Sequence, residues 1–290
     1  MGLLDGRAIL VTGVTMPTSI AFRAAQLAQQ EGARVIVSNL ERAIGATRRA
    51  VRRLDVEPDV IELDVTDADQ LAALPSVLND LGVDKLDGVV HAIAFANPER
   101  ALGGAFLSTE WDDVDVALHT STYSYVALAR ALAPMLTQDA SVVGLTFDAT
   151  VSWPFYDWMG VAKAGLESAN RYLARYLGKD GIRCNLVAAG PLDTVAKKAI
   201  PGASQFNDVW SVGSEMCIRD RCPAGLGPQG QHGRGQGDRL PALGLVPRHH
   251  RRDDPRRRRS ALHRGLRNHL PRHWRRSAPP DALTFRALGP

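Results

Sequence analysis

The stretch AILVTGVTMPTSIAF, residues 8–22, decides the fold of this chain. Its first five residues are apolar or β-branched and predict a buried strand, and Ser19 marks the start of a helix. Gly13 follows the strand, where a residue without a Cβ lets the backbone approach a phosphate that the N–H groups of the helix attract. Ser19 stands where the usual three-glycine fingerprint has its second glycine. The stretch therefore predicts a strand, a phosphate-binding turn and a helix, although alone it also suits an ordinary turn with a capping serine.

The same alternation of strand and helix continues to about residue 190. Short apolar runs predict further strands at 33–38, 59–65, 87–95, 141–147 and 183–189. Apolar residues at helical spacing predict helices at 19–31, 41–54, 67–81, 111–136 and 155–178. This order predicts parallel β-α-β units in an α/β fold, a doubly wound Rossmann-type sheet with both faces covered.

Charge and composition divide the chain at about residue 210. The 290 residues carry a formal charge of +4, yet residues 211–290 contain 17 arginines, no lysine, six acidic residues and nine prolines. That segment has no helical or strand periodicity, and we expect it to be an aberrant, disordered Arg/Pro-rich tail after a reductase-type domain at 1–210. Three cysteines without zinc or disulfide spacing, and no apolar run near the ~20 residues of a membrane span, predict a cytoplasmic protein with no metal and no membrane partner.

The segment Tyr156-Asp157-Trp158-Met159-Gly160-Val161-Ala162-Lys163 carries the expected chemistry. Seven positions span about two helical turns, so Tyr156 and Lys163 would project from one face. A phenol and an ammonium so placed can bind a reacting oxygen and a cofactor ribose. We also expect the ammonium to favour the phenolate, which would help Tyr156 hydrogen-bond or protonate an oxyanion. A solvated surface lysine is the plain alternative, and the position after a predicted fifth strand favours the catalytic one.

Several motifs together resemble one known family. They are Gly13 with Ser19-Ile20-Ala21-Phe22, Leu63-Asp64-Val65, His91-Ala92-Ile93-Ala94-Phe95, the spacing of Tyr156 and Lys163, and Asn185-Leu186-Val187-Ala188-Ala189-Gly190-Pro191. Over about residues 1–210 the chain resembles the enoyl-acyl-carrier-protein reductases of bacterial fatty-acid synthesis, a divergent branch of the short-chain dehydrogenases, and most of all the actinobacterial, mycobacterial type. Ordinary short-chain dehydrogenases place lysine four positions after tyrosine, where this chain has Gly160.

The resemblance implies hydride transfer from NADH to C3 of a trans-2-enoyl thioester on acyl carrier protein, with Tyr156 stabilising the enolate and Lys163 binding the nicotinamide ribose. The implied cofactor-binding residues are Gly13, Ser19, Ile20, Asp64, Val65, Ile93, Ala94, Lys163, Leu192 and Thr194. Phe147, Tyr156 and Met159 are candidates to contact substrate, with Trp153, Ala196, Ala199 and Ile200 as further apolar candidates. A homotetramer packed through the long helices is also implied.

Several positions depart from the family pattern, among them Ala92 and Ala94, which replace a serine and a glycine that are frequent there. Phe147 stands where some members carry a second tyrosine, so Tyr156 would act alone. No acidic residue ends the second predicted strand to bind a ribose 2′-hydroxyl, and Arg42 could meet a 2′-phosphate. NADH is therefore implied by the resemblance and not by this stretch.

The tail has the features of a reading-frame error. Residues 211–220, SVGSEMCIRD, resemble a translated sequencing adapter. When each codon is read one base later, codons allowed for residues 242–247 include L-S-D-W-F-P, and those allowed for 249–259 include T-T-G-E-M-I-H-V-D-G-G. Both strings resemble the terminus expected of the family. We therefore interpret residues from about 222 as an out-of-frame translation that removes the native last strand.

Two other functions stay open at this point. One is a carbonyl-reducing short-chain dehydrogenase, and the other is an inactive body with a basic nucleic-acid-binding tail. The arginines of the tail lack the interleaved aromatic residues that stack on bases, so we expect no nucleic-acid partner.

Overall fold

The computed structural model describes the protein over residues 2–190, 192 and 194–202. Six parallel strands form one sheet in the order β3-β2-β1-β4-β5-β6. The strands are β1 Ala8–Thr12, β2 Arg34–Asn39, β3 Asp59–Glu62, β4 Leu86–His91, β5 Leu136–Thr146 and β6 Arg183–Ala188. The sheet confirms the predicted doubly wound α/β fold, with the order reversing between β1 and β4.

Helices connect successive strands, and a further short helix follows β6. They are α1 Ile20–Gln30, α2 Glu41–Val51, α3 Ala68–Asp80, α4 Trp111–Leu118, α5 Ser124–Leu132, α6 Asp157–Leu177 and α7 Val195–Lys198. A π-helical turn at His119–Tyr123 joins α4 to α5, and a 3₁₀ turn at Ala133–Met135 follows α5. The single helix predicted at 111–136 is therefore wrong in its continuity, because a wider π turn interrupts it.

Alternation along the strands builds an apolar core on each face of the sheet. In β1, Leu10 packs on the face covered by α3, α5 and α6, whereas Ile9 and Val11 pack on the face covered by α1 and α2. Strands buried on both faces need nearly continuous apolar sequence, which is why β1, β2 and β4 were recognisable. This sandwich fixes the carboxyl ends of β1 and β4 side by side, where open α/β sheets bind their ligands.

The far edge of the sheet is formed by β6. Among the described residues it pairs only with β5, and its side chains are mostly half-buried or exposed. The expected loss of a further C-terminal strand, the domain boundary at 210 and the disorder of 211–290 lie outside the described residues. No helix in the described part is long and apolar enough to cross a membrane.

Candidate active site

The turn after β1 is shaped to receive an anion. Gly13 has a φ of 78°, and a Cβ there would collide with the carbonyl oxygen of Ala92. Ser19 is the N-cap of α1, with its Oγ accepting the Phe22 N–H at 3.1 Å. The N–H groups of Ile20 and Ala21 have no partner among the described residues and lie at the positive end of the helix. These residues fit a dinucleotide pyrophosphate.

Two buried polar side chains brace this turn, and sequence reasoning missed them. Asn39, at the end of β2, donates from Nδ2 to the Val14 carbonyl and to Thr47 Oγ1, both at 3.0 Å. Thr47, on α2, donates to the same Val14 carbonyl at 2.6 Å. Arg42 is exposed and forms no ion pair with a described residue. The end of β2 therefore supports the turn.

At the end of β3, the two adenine candidates have structural partners. The Asp64 carboxylate accepts the Thr66 N–H at 2.9 Å and the Thr66 hydroxyl at 2.6 Å, which closes a tight turn. Val65 is 2% exposed and packs in the core. The turn adjoins β2, since the Leu63 N–H donates to the Asn39 carbonyl at 2.9 Å. Both residues lie along the predicted cofactor edge, and their contact with adenine stays a prediction.

The loop after β4 is held by the π-helical turn. Ile93 is half-buried against the core, while Ala94 is exposed at the carboxyl edge of the sheet. Ser121 is fully buried, and its Oγ accepts the Phe95 N–H and donates to the Phe95 carbonyl, both at 3.0 Å. Thr122, the next residue, donates to the Ala162 carbonyl of α6 at 2.6 Å. One turn thus links the predicted nicotinamide loop to the helix of Lys163.

Lys163 is buried, contrary to the surface alternative. Its side chain is 5% exposed, and Nζ donates to the Leu145 carbonyl at 2.8 Å. Burial lowers the pKa of Lys163 to about 8. An ammonium has three N–H donors, so two have no protein partner within the described part of the chain. Such donors suit the hydroxyls of a ribose.

His91 is a buried group of the site that the sequence did not single out beyond its motif. Its Nε2 lies 2.8 Å from Ser124 Oγ, which itself donates to the Thr120 carbonyl at 2.7 Å, so Nε2 carries the proton. Nδ1 is buried without a partner in the described structure. Burial, with a smaller effect of the Lys163 charge, lowers the pKa of His91 to about 3. The imidazole is therefore neutral, and it lies near enough to Lys163 for the lysine charge to lower its pKa.

Tyr156 lies in a separate apolar cluster beside the sheet. It is the N-cap of α6 and 8% exposed, and its ring meets that of Phe147 at 5.4 Å. The buried members of the cluster are Ala96, Ala101, Leu102, Ala117, Tyr156, Met159 and Ala162, with Leu118, Phe147, Trp153, Trp158 and Ile200 partly buried against them. The structure thus brings Phe147, Trp153, Met159 and Ile200 together around Tyr156, and their contact with an acyl chain stays a prediction.

The predicted stabilisation of a phenolate by Lys163 does not dominate in this structure. Burial raises the pKa of Tyr156 well above its usual value. The apolar surroundings therefore favour the protonated phenol, which can act as an O–H donor.

The remaining candidates follow β6. Leu192 is exposed, and Thr194 is half-buried with its Oγ1 accepting the Lys197 N–H at 3.3 Å. Ala199 is exposed, and the side chain of Ala196 lies outside the described part. Closure of this segment over a cofactor stays a prediction.

Comparisons with known proteins agree with this geometry. The family profile described as enoyl-(acyl carrier protein) reductase matches residues 13–217. The enoyl-[acyl-carrier-protein] reductase [NADH] of Mycolicibacterium smegmatis is 42% identical over 206 residues, which cover 70% of this chain and 76% of that protein. Its namesake from Mycobacterium avium is 43% identical over 203 residues (69% and 75% coverage), and one from Neisseria meningitidis is 40% identical over 209 residues (69% and 77%).

Proposed function

The chain belongs to the enoyl-(acyl carrier protein) reductase family of short-chain dehydrogenases, and we propose that it reduces trans-2-enoyl-ACP to acyl-ACP with NADH in type II fatty-acid synthesis. The observation that carries this proposal is Tyr156 in an apolar cluster at the start of α6, together with the buried Lys163 seven positions later on that helix. The cluster suits an acyl chain, and the lysine donors suit a ribose.

The proposed cofactor site follows the carboxyl edge of the sheet. Gly13, Ser19 and Ile20 would hold the pyrophosphate, Asp64 and Val65 the adenine end, and Ile93, Ala94, Leu192 and Thr194 the nicotinamide side. Lys163 would donate to the ribose hydroxyls from the N–H groups that Leu145 leaves free. The bound cofactor supplies the hydride.

The role of Tyr156 follows from its protonation state. As negative charge develops on the thioester oxygen, the phenol O–H donates a hydrogen bond to it, which lowers the barrier because the donor is already fixed in a dry site. Its raised pKa keeps the proton on the phenol at neutral pH. The edge contact with Phe147 at 5.4 Å restricts the ring, and Phe147 with Met159 would contact the acyl chain.

The test compares two thioesters at equal NADH. We expect NADH oxidation with crotonyl thioester and little with 3-oxoacyl thioester. Turnover of only the 3-oxoacyl compound would instead identify a carbonyl reductase. The Tyr156→Phe variant should lose about 100-fold in enoyl turnover and keep its NADH affinity, since one oxyanion donor is removed. Unchanged turnover in that variant would remove Tyr156 from the mechanism.

We also propose a cytoplasmic homotetramer that packs through α4 and α6. On α6, Val161, Tyr172 and Tyr176 are exposed, and Val116 is exposed on α4, which packs against α6. Exposed aromatic groups on adjacent helices are typical of a protein interface. The exposed Asp112 and Asp115 on α4 and the exposed Arg171 and Arg175 on α6 give this face charges of both signs, which suits a self-complementary two-fold interface.

We also propose that the tail is not the native terminus of this reductase. The alignments leave about a quarter of each reported relative unmatched, since coverage of those proteins is 75–77%. This supports a reductase domain at 1–210 whose native terminus is replaced by an out-of-frame segment from about residue 222.

A further inference from the structure

The residues on both sides of Tyr156 have left-handed backbones. Phe155 has a φ of 63° and Asp157 a φ of 39°, and they are the only non-glycine residues in the described part with positive φ. For a bulky aromatic residue this conformation is costly, and it persists only where the surrounding structure enforces it. Two such residues therefore indicate that contacts with other parts of the chain hold the turn that contains Tyr156.

The holding contacts come from the loop before α4. The Gly103 N–H donates to the Phe155 carbonyl at 3.0 Å, and the Trp158 N–H donates to the Ala101 carbonyl at 3.3 Å. The Gly104 N–H donates to Asp157 Oδ2 at 2.6 Å. Of these three hydrogen bonds, only the one to Asp157 involves a side chain. It is also expected to be the strongest, because its acceptor is a charged carboxylate.

The loop before α4 and the start of α6, which these hydrogen bonds join, are each fixed by further contacts. Gly103 and Gly104 have φ values of 76° and 98°, and a Cβ on Gly103 would lie 3.0 Å from Pro201. Trp158 stacks on Phe106 with ring centroids 5.1 Å apart, and its indole N–H donates to the Phe106 carbonyl at 3.1 Å. The loop is therefore a rigid support to which Asp157 ties the tyrosine turn.

We propose that Asp157 is a positioning residue for Tyr156. By accepting the Gly104 N–H, it holds the left-handed turn that sets the direction of the phenol in the apolar cluster. The inference rests on the proposed function for its kinetic part, since Tyr156 acts there as the oxyanion donor. A merely structural acid at a helix start would act through charge alone.

Three substitutions separate the charge, the hydrogen bond and the backbone. Asp157→Asn keeps an acceptor oxygen and tolerates left-handed φ, and we expect enoyl turnover within about threefold of the parent chain. Asp157→Gly keeps the backbone and loses the acceptor, and Asp157→Ala loses both. We expect kcat to fall about tenfold in the glycine variant and about 100-fold in the alanine variant, with NADH affinity unchanged, because misplacing a reacting group by about 1 Å has such effects.

The matched controls are Asp55→Gly and Asp55→Ala, at an exposed acid in the loop after α2 that forms no ion pair with a described residue. Both should retain parental kinetics. A glycine variant at position 157 with parental kcat, or an asparagine variant as impaired as alanine, would overturn the inference. Equal losses of kcat and NADH affinity would also overturn it, because they indicate general disruption of the fold.

A second readout does not depend on turnover. The full chain, with its five tyrosines labelled at ¹³Cζ, gives a Tyr156 resonance that is assigned by its loss in Tyr156→Phe. This resonance should keep its position in Asp157→Asn and move in Asp157→Gly and Asp157→Ala. Absence of enoyl turnover in a chain whose terminus is retranslated from about residue 222 would refute the proposed function alone, whereas an unmoved resonance in the last two variants would refute the positioning role.

Discussion

The buried ammonium of Lys163 opposes folding in the absence of cofactor. Its pKa is lowered from 10.5 to about 8, so between these values the unfolded chain binds a proton that the folded chain lacks, and stability rises with pH across that window. At pH 7 the charge costs a few kcal/mol, at about 1.4 kcal/mol per pKa unit.

Lys163→Met should therefore raise the denaturation midpoint at pH 7 and weaken NADH binding by more than about tenfold, since charged hydrogen bonds contribute roughly 1.5–3 kcal/mol. Denaturant titration and NADH fluorescence measure the two effects. Lys85→Met is the matched control, because the exposed Lys85 also donates to a backbone carbonyl, that of Pro134, at 3.1 Å. A lower midpoint in Lys163→Met would contradict this account.

The buried neutral His91 should make the fold sensitive to acid. Its folded pKa is about 3 against 6.5 in the unfolded chain, so its contribution is complete above pH 6.5 and is lost as pH falls toward 3. Between pH 7.5 and 5 we expect a loss of about 2 kcal/mol in unfolding free energy from this residue. His91→Gln, whose amide can donate to Ser124, should lack that component. An identical pH dependence in both chains would exclude His91 as its source.

Sequence spacing could place Tyr156 and Lys163 on one predicted helix, but it could not predict their burial or protonation. The seven-residue interval is local, whereas the pKa of Tyr156 depends on Phe147 and on loops more than 30 residues away. Asn39 gave no signal for the same reason, because its partner Val14 is 25 positions earlier. Local patterns show which groups can react, and distant packing sets their charge.

Among the structural elements, the π-helical turn at His119–Tyr123 links two parts of the candidate site, the loop after β4 and helix α6. Ser121→Ala would leave both polar atoms of the Phe95 backbone without their partner, at a cost of about 1–3 kcal/mol. We expect faster hydrogen exchange at Phe95 and a several-fold higher KM for NADH. Ser108→Ala, which removes an exposed hydroxyl bonded to Ala105, should change neither. Parental exchange at Phe95 in Ser121→Ala would refute the role of this turn.

The π-helical turn is also a feature of the secondary structure that the sequence did not predict. Apolar spacing over 111–136 indicated one helix, and the structure has two helices with a π turn, because apolar spacing does not show where the backbone hydrogen bonds change from i→i−4 to i→i−5. Strand β5 begins at Leu136, five residues before its predicted start. The parallel, doubly wound sheet, by contrast, follows from the alternation itself, whereas the strand order was not predicted, because alternation also suits other doubly wound orders.

For the whole molecule, the exposed helix face predicts an assembly. Tyr172 is 64% exposed, and we expect Tyr172→Arg combined with Val161→Arg to reduce the mass in light scattering from four times the 31.4 kDa chain to a smaller species. Val56→Arg, at an exposed apolar residue in the loop after α2, is the control and should leave the mass unchanged. A parent chain of monomeric mass would refute the tetramer.

The terminal segment is expected to affect the stability and the activity of the whole molecule. The family profile ends at residue 217, and the one-base shift restores strings that resemble the expected terminus, including a final strand. Such a strand would cover β6, the edge whose side chains are mostly half-buried or exposed in the described part. A chain retranslated from about residue 222 in the shifted frame should therefore unfold at higher denaturant concentration and reduce crotonyl thioester faster than the chain as written. Residues 1–210 followed by a scrambled tail of equal length are the control and should behave like the present chain. If the retranslated chain were no more stable or active than that control, residues 222–290 would not be a misread terminus.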